Sequence, residues 1–250
     1  MEILNEKILF VGIGLLIFIF LENLFPNEKV TFTRKISRSF KNIFLWLINI
    51  GLTPILILPI TIYATTFNLH NTFNINNAIG LFLFHLIIYD IFLYFWHRAN
   101  HEIKFLWRFH HVHHLDETLD VSSGLRFHFG EIILSTIVRC IIIIIFNITL
   151  VNLLLIEAVV LISSAFHHSN IQLPKNLEKI LSYIIVTPSI HWVHHHKRQK
   201  ETDSNYCAIF SFWDILFRTK SNFKRYKGMP IGVEKDQDES ISKLITRPLK

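Results

Sequence analysis

The chain has 250 residues, of which 51% are hydrophobic and 18% charged, and its mean hydropathy is +0.38. So much apolar surface with so little charge excludes an ordinary water-soluble domain and points to a membrane protein. The formal charge of +6 does not call for nucleic acid, because an excess of Lys and Arg in cytoplasmic loops gives the same balance. Two cysteines, Cys140 and Cys207, with no Cys-x-x-Cys, exclude a disulfide framework and thiol chemistry.

Residues 8–25, "ILFVGIGLLIFIFLENLF", are long enough to cross the hydrocarbon core. The run follows Glu2, Glu6 and Lys7 and ends at Pro26 without a small-residue cleavage site, so a retained helix is expected rather than a secretory signal. A basic loop over 26–42 carries Lys29, Arg34, Lys35, Arg38 and Lys41. The second apolar run, 43–67, should kink at Pro54 and Pro59, each of which removes a backbone donor. The linker 68–77 has no full charge, and His70 within it reads as solvated. Residues 78–96 form the third run and deliver the chain to His97. Runs over about 131–147 and 150–167 make a tight helical hairpin turning near Asn147–Thr149. The fold expected is an all-α integral membrane protein with four to five spanning helices.

With the basic loop cytoplasmic, the third helix ends inside at His97, and the hairpin returns His167 and His168 to the same side. The Lys-rich remainder from 175 is inside too, so the histidine clusters all reach the cytoplasmic face in a helical cap. Within the hairpin, Arg139 and Glu157 lie at matching depth, and a lone intramembrane charge costs at least about 2.5 kcal/mol. The two are expected to pair. His85, inside the third run, reads as a packed, hydrogen-bonded histidine.

The stretch "HRANHEIKFLWRFHHVHH" places six histidines in residues 97–114. His97 and His101 are four apart and share a helix face. His110, His113 and His114 follow as H-x-x-H-H, and the pattern returns as His191, His194 and His195 in "HWVHHH". Four ligands satisfy one tetrahedral ion, so eight imidazoles suggest two metals or a larger coordination number. A zinc-protease H-E-x-x-H needs Glu after its first His; Arg98 and Trp192 stand there instead. Imidazole suits Fe, Zn, Cu and Ni alike, so the spacing does not name the ion.

The order "HRANH", "HHVHH", "RFHFGE", "HWVHH", with "TDSNYCAIFSFWDILFRTK" after it, resembles the fatty acid hydroxylase/sterol desaturase superfamily of membrane-bound non-haem di-iron enzymes. The resemblance implies that His97, His101, His110, His113, His114, His191, His194 and His195 are iron ligands, joined by His128 and His168. It implies a catalytic region over 78–220, membrane helices and a basic loop over 1–77, and a polar tail over 221–250. His111, Trp192, Cys207 and Arg218 depart from the usual pattern without touching a box histidine.

The implied reaction is O2-dependent hydroxylation or desaturation of a lipid at two irons. Ligand histidines must be neutral, each held through its other ring nitrogen. Asp116, Glu117, Asp120, Glu131 and Asp203 are near enough in sequence for that role, and Asp90, two turns before His97, reads as an orienter of the site. His167 and His196 abut box residues and read as surface neighbours, outside the ligand set. Phe105, Trp107 and Phe109 read as an interfacial belt, and 218–227, "RTKSNFKRYK", as a headgroup-facing surface. No Gly-rich dinucleotide motif and no haem or iron–sulfur cysteine pattern occurs, so electrons are expected from a separate protein of ferredoxin or cytochrome type. The opposing readings are a metal transporter or sensor with histidine-rich cytoplasmic loops, and an inactive relative holding structural zinc. A transporter should place ligands midway along its helices, whereas these clusters fall just outside the apolar runs.

Overall fold

The computed structural model describes residues 2–67, 75 and 77–249, with side chains from residue 6 onward. His70 and most of the 68–77 linker lie outside the described residues. Helix α1 (Glu2–Leu24) turns apolar side chains outward almost throughout: Ile8, Leu9, Phe10, Leu16 and Phe20 are each at least 60% exposed, a surface suited to lipid. Helix α2 (Phe32–Leu52) begins eleven residues before the expected apolar run. The supposed basic loop becomes helical because Arg38, Asn42 and Leu45 fall on one face and are buried. Pro54 then lies in a π-helical turn, Thr53–Ile57, before the chain resumes as α3 (Leu58–Thr66).

Helix α4 (Ala78–Glu102) starts on Asn77, whose side chain accepts from the backbone N–H of Ile79 and Gly80. Extended backbone at Ile103 breaks it and sends the chain back as α5 (Lys104–His114). A 3-10 turn, Val121–Leu125, is capped by Asp120. Helices α6 (Phe129–Phe146) and α7 (Leu150–His168) form the expected hairpin, with Asn147 in the left-handed region at φ 50°. Short helices complete the chain: α8 (Lys175–Leu181), α9 (Pro188–His194), α10 (Gln199–Thr202), α11 (Phe212–Leu216) and α12 (Ile241–Thr246). Among the described residues there is no strand. Five stretches are long and apolar enough to span a bilayer: Glu6–Leu24, Phe32–Thr66, Ala78–Glu102, Phe129–Phe146 and Leu150–His168.

One core cluster knits α3, α4, α6 and α7 through Ala64, Leu86, Tyr89, Ile143, Leu153 and Ile156. His85 is packed there as expected, with its ring nitrogens 3.2 Å from the Phe146 carbonyl and 2.9 Å from the Asn152 amide. The expected Arg139–Glu157 pair is present at 3.4 Å, and Lys7 of α1 joins it at 2.9 Å from the other carboxylate oxygen. At the histidine end, Gly124 lets the 3-10 turn press against α7, since a Cβ there would lie 2.9 Å from Ser164 Oγ. Residues 221–249 fold back rather than trail: Leu244 is fully buried with Leu45, Val112 and Leu115, and Asp238 accepts from Lys41 and Arg126.

Candidate metal centre

The histidines gather into two adjacent groups: His97, His101, His110, His114 and His194 in one, His113, His168, His191 and His195 in the other. Helical spacing explains the split. Within α5 the i, i+4 pair His110 and His114 goes to the first group and His113 to the second. The third box mirrors this: His191 and His195 join the second group, while His194 crosses to the first. Each H-x-x-H-H therefore bridges both groups instead of serving one face. The end of α4 adds His97 and His101, and the end of α7 adds His168.

Four of these nine rings are oriented by backbone carbonyls. His97 Nδ1 is 2.8 Å from the Tyr206 carbonyl and His194 Nδ1 2.7 Å from that of Ser204. His113 Nδ1 is 3.1 Å from the Arg126 carbonyl and His168 Nδ1 2.8 Å from that of Ser164. A carbonyl only accepts, so each Nδ1 donates its proton and each Nε2 of a neutral ring keeps a lone pair. Glu131 does the same for His110 at 2.9 Å, and Asp203 lies 3.4 Å from His101 Nδ1. Burial first, then the neighbouring imidazoles, holds His113, His114, His191 and His195 well below the usual histidine value. His194 is pushed down to about 3, chiefly by burial.

With the Nδ1–H of His113 and His168 engaged by carbonyls, the Nε2 contacts of the second group become informative. His113 and His168 approach at 3.1 Å, His168 and His191 at 2.9 Å, and His191 and His195 at 3.1 Å. One ring nitrogen has one proton or one lone pair, so this chain of contacts cannot be a set of ordinary hydrogen bonds. The facing lone pairs of His113 and His168 repel unless they share an electron-pair acceptor. With metal–nitrogen bonds of about 2.1 Å, neighbouring nitrogens lie about 3.0 Å apart in octahedral and about 3.4 Å in tetrahedral geometry, close to the spacing seen. In the first group His110 and His114 approach at 3.2 Å, and His101 and His194 each keep a buried Nε2 without a hydrogen-bond partner. The donor sets fit first-row transition ions.

Other expected residues take different places. His128 joins neither group: its Nδ1 accepts from Gly130 N–H at 3.0 Å, capping α6, and its Nε2 donates to the Ile245 carbonyl at 2.9 Å, so both nitrogens are spent. Asp90 touches no histidine; it accepts from Ile209 N, Phe210 N and Trp213 Nε1, fixing the segment that follows Tyr206. Asp116 and Asp120 face Arg38 rather than the rings. Burial alone would raise the Asp116 carboxyl, but Arg38 and Arg126 beside it hold it below its usual value. Glu117 faces Arg34 near the surface.

Three contributors were not anticipated. His167 is buried with its ring 4.0 Å from that of His191. Trp107 packs 5.0 Å from His101 and 5.4 Å from His114, although its alternation with polar residues suggested a lipid interface ahead of a substrate tunnel. Asp214 accepts from Tyr206 N and Cys207 N, clamping the irregular segment whose carbonyls hold His97 and His194. The tail motif "FWDILF" carried that aspartate, but nothing local tied it to a histidine 117 positions earlier.

A cavity of about 390 Å³ opens from the histidines between the membrane helices. His97, His110, His113, His168 and His191 stand at one end, Trp96, Leu93, Phe127, Val160 and Leu161 along its walls, and Lys7, Tyr89, Arg139 and Glu157 at the other.

Helical spans and two histidine nests define a membrane-embedded protein built around a candidate two-metal centre. The profile of the Fatty acid hydroxylase family matches residues 82–219, more than half of the chain, and the chain belongs to that family. It is 32% identical over 148 residues to ornithine lipid hydroxylase OlsE of Rhizobium tropici, covering 59% of this chain and 44% of that one. The alkylglycerol monooxygenases of Danio rerio and Homo sapiens are each 32% identical over 52% of this chain and 28% of theirs. The chain thus spans less than half the length of these relatives. No solved structure matches it significantly.

Proposed function

We propose that the protein is a membrane-bound, O2-dependent non-haem di-iron hydroxylase of a lipid, with its metal centre on the cytoplasmic face. His97, His101, His110, His114 and His194 would hold one iron, and His113, His168, His191 and His195 the other. When bound, the irons supply activation of O2 for attack on an unactivated C–H bond. Hydroxylation takes one oxygen atom into the lipid and releases the other as water, so two electrons and two protons must enter, delivered by a separate ferredoxin- or cytochrome-type protein.

The protein's own residues do the rest. The carbonyls of Tyr206, Ser204, Arg126 and Ser164 keep protons on Nδ1, so the Nε2 lone pairs stay available. Buried Arg38 and Arg126 compensate the carboxylates of Asp116 and Asp238 behind the nests. The apolar cavity walls exclude water and hold a hydrocarbon chain against the histidines. The observation that carries the reading is this junction: two sets of convergent imidazole lone pairs at the mouth of an apolar cavity inside membrane helices. The names of the relatives support lipid oxidation.

The test is a mass-spectrometric comparison of lipids from cells expressing the wild type and His191→Ala. A wild-type-only lipid heavier by one oxygen is expected. A product lighter by two hydrogens would replace hydroxylation by desaturation, and no wild-type-dependent lipid alongside a working electron donor would contradict the proposal.

A further inference from the structure

The far end of the cavity is built of charges that the histidine chemistry does not use. Lys7, Arg139 and Glu157 come from three different membrane helices, and all three line the cavity with Tyr89. Two cations share one carboxylate: Lys7 Nζ lies 2.9 Å from one oxygen of Glu157, and Arg139 Nη1 3.4 Å from the other. One positive charge is left over in a layer where an uncompensated charge is costly.

Hydrogen-bond capacity is unbalanced in the same sense. Arg139 donates to Tyr89 Oη at 3.2 Å, to Thr136 Oγ1 at 2.8 Å and to Glu157, yet its Nε has no partner. A lysine carries three donors, and Lys7 uses one on Glu157. Tyr89 accepts from Arg139, and its own hydroxyl proton has no acceptor among the described residues. Donors exceed acceptors, and Lys7, Tyr89 and Arg139 all line the cavity.

We propose that this cluster is a substrate subsite that receives the carboxylate of an acidic lipid chain. The carboxylate brings the charges to two against two beside Arg139 and gives Lys7 and Tyr89 their missing acceptor. Three helices set its distance from the histidines. Tyr89 to His97 and Glu131 to Arg139 are eight residues each, and Glu157 to His168 is eleven. At 1.5 Å per residue these separations are about 12–16 Å. An extended chain covers that length in roughly ten to thirteen bonds, at about 1.2 Å per bond. The subsite would therefore act as a ruler, placing a carbon near the far end of the chain at the metal centre. This inference rests on the lipid-oxidising reading above for what happens to that carbon, but binding itself requires no turnover.

Trp46 and Trp96 line the same cavity, which permits a direct test on the full chain in lipid nanodiscs. Tryptophan fluorescence is quenched on contact with bromine, so 12-bromododecanoic acid reports arrival of the chain end. The acid is expected to bind about tenfold or more tightly than 1-bromododecane, the worth of a charged hydrogen-bonded contact. Moving the bromine beside the carboxylate, in 2-bromododecanoic acid, should reduce the quenching at saturation. Arg139→Gln should abolish the preference for the acid, whereas Glu157→Gln, by removing the competing carboxylate, should enlarge it. A merely structural ion cluster would lose stability in both variants and shift the preference in neither. If Arg139→Gln does not fold, Lys7→Met and Glu157→Gln carry the same opposed signs. Equal affinity for acid and alkyl bromide, or variants that leave their ratio unchanged, would overturn the proposal. Lost lipid oxidation with the acid preference intact would count against the catalytic reading and leave the subsite standing.

Discussion

The two ends of the membrane cavity carry opposite deficits. At the histidine end, carbonyls take up the Nδ1 protons of His97, His113, His168 and His194 and Glu131 that of His110, so the other nitrogen of each ring is a lone pair in need of an electron-pair acceptor. At the far end, Lys7, Arg139 and Tyr89 present protons in need of an acceptor, with Glu157 too small a counterweight. One region is prepared for a cation and the other for an anion. The apolar walls between them keep the two from satisfying each other. A cluster of polar groups in a membrane protein is therefore not informative by its charge alone; the sign of its unmet hydrogen bonding tells what it would bind.

The strongest way to break this contrast is to remove the frame of the histidine end. Arg38 is buried and donates to Asp116, Asp120 and Ser123, beneath the turn that presents His113 and His114. Arg38→Ala strands two buried carboxylates and should cost about 3–5 kcal/mol of stability, read by thermal or chemical unfolding in detergent. A loss under about 1 kcal/mol would mean that the carboxylates find other partners.

A smaller perturbation sharpens the comparison by altering one proton. Glu131→Ala removes the acceptor of His110 Nδ1–H and frees that ring to present a proton instead of a lone pair. Metal affinity, measured by chelator competition, should weaken about 10–100-fold while the fold persists. Unchanged affinity would show that ring orientation does not depend on this carboxylate. Smallest of the three is His128→Ala. It should cost about 0.5–2 kcal/mol as the loss of a helix cap and leave the metal content unchanged. Loss of a metal in this variant would restore His128 as a ligand.

His128 also shows where the sequence runs out. The spanning helices were legible because long apolar runs have few alternatives in a bilayer, and the Arg139–Glu157 pair followed from equal depth in a hairpin. Nine of the ten expected ligand histidines lie in the two groups. What decides against His128 is a carbonyl at Ile245, 117 residues away, which no local pattern reveals. The same holds for the carbonyls that orient His97 and His194, since every residue has one and only the fold selects which are used. The basic stretch 26–42 misled for another reason: one of its charges, Arg38, lies on the buried face of α2 and meets Asp116 and Asp120, while Arg34 stays exposed. Lys7 was hidden as well, because a charge at the edge of an apolar run looks like an interfacial residue until a third helix brings Glu157 to it.

The most direct test of a two-iron centre is the iron content of the purified chain after anaerobic reconstitution with Fe2+, compared across wild type, His101→Ala and His168→Ala. The account predicts about two irons per chain in the wild type and fewer in each variant, with the larger loss in His168→Ala, which leaves its group three imidazoles against four in His101→Ala. A wild type that holds one iron or none, or variants that both retain two, would contradict it.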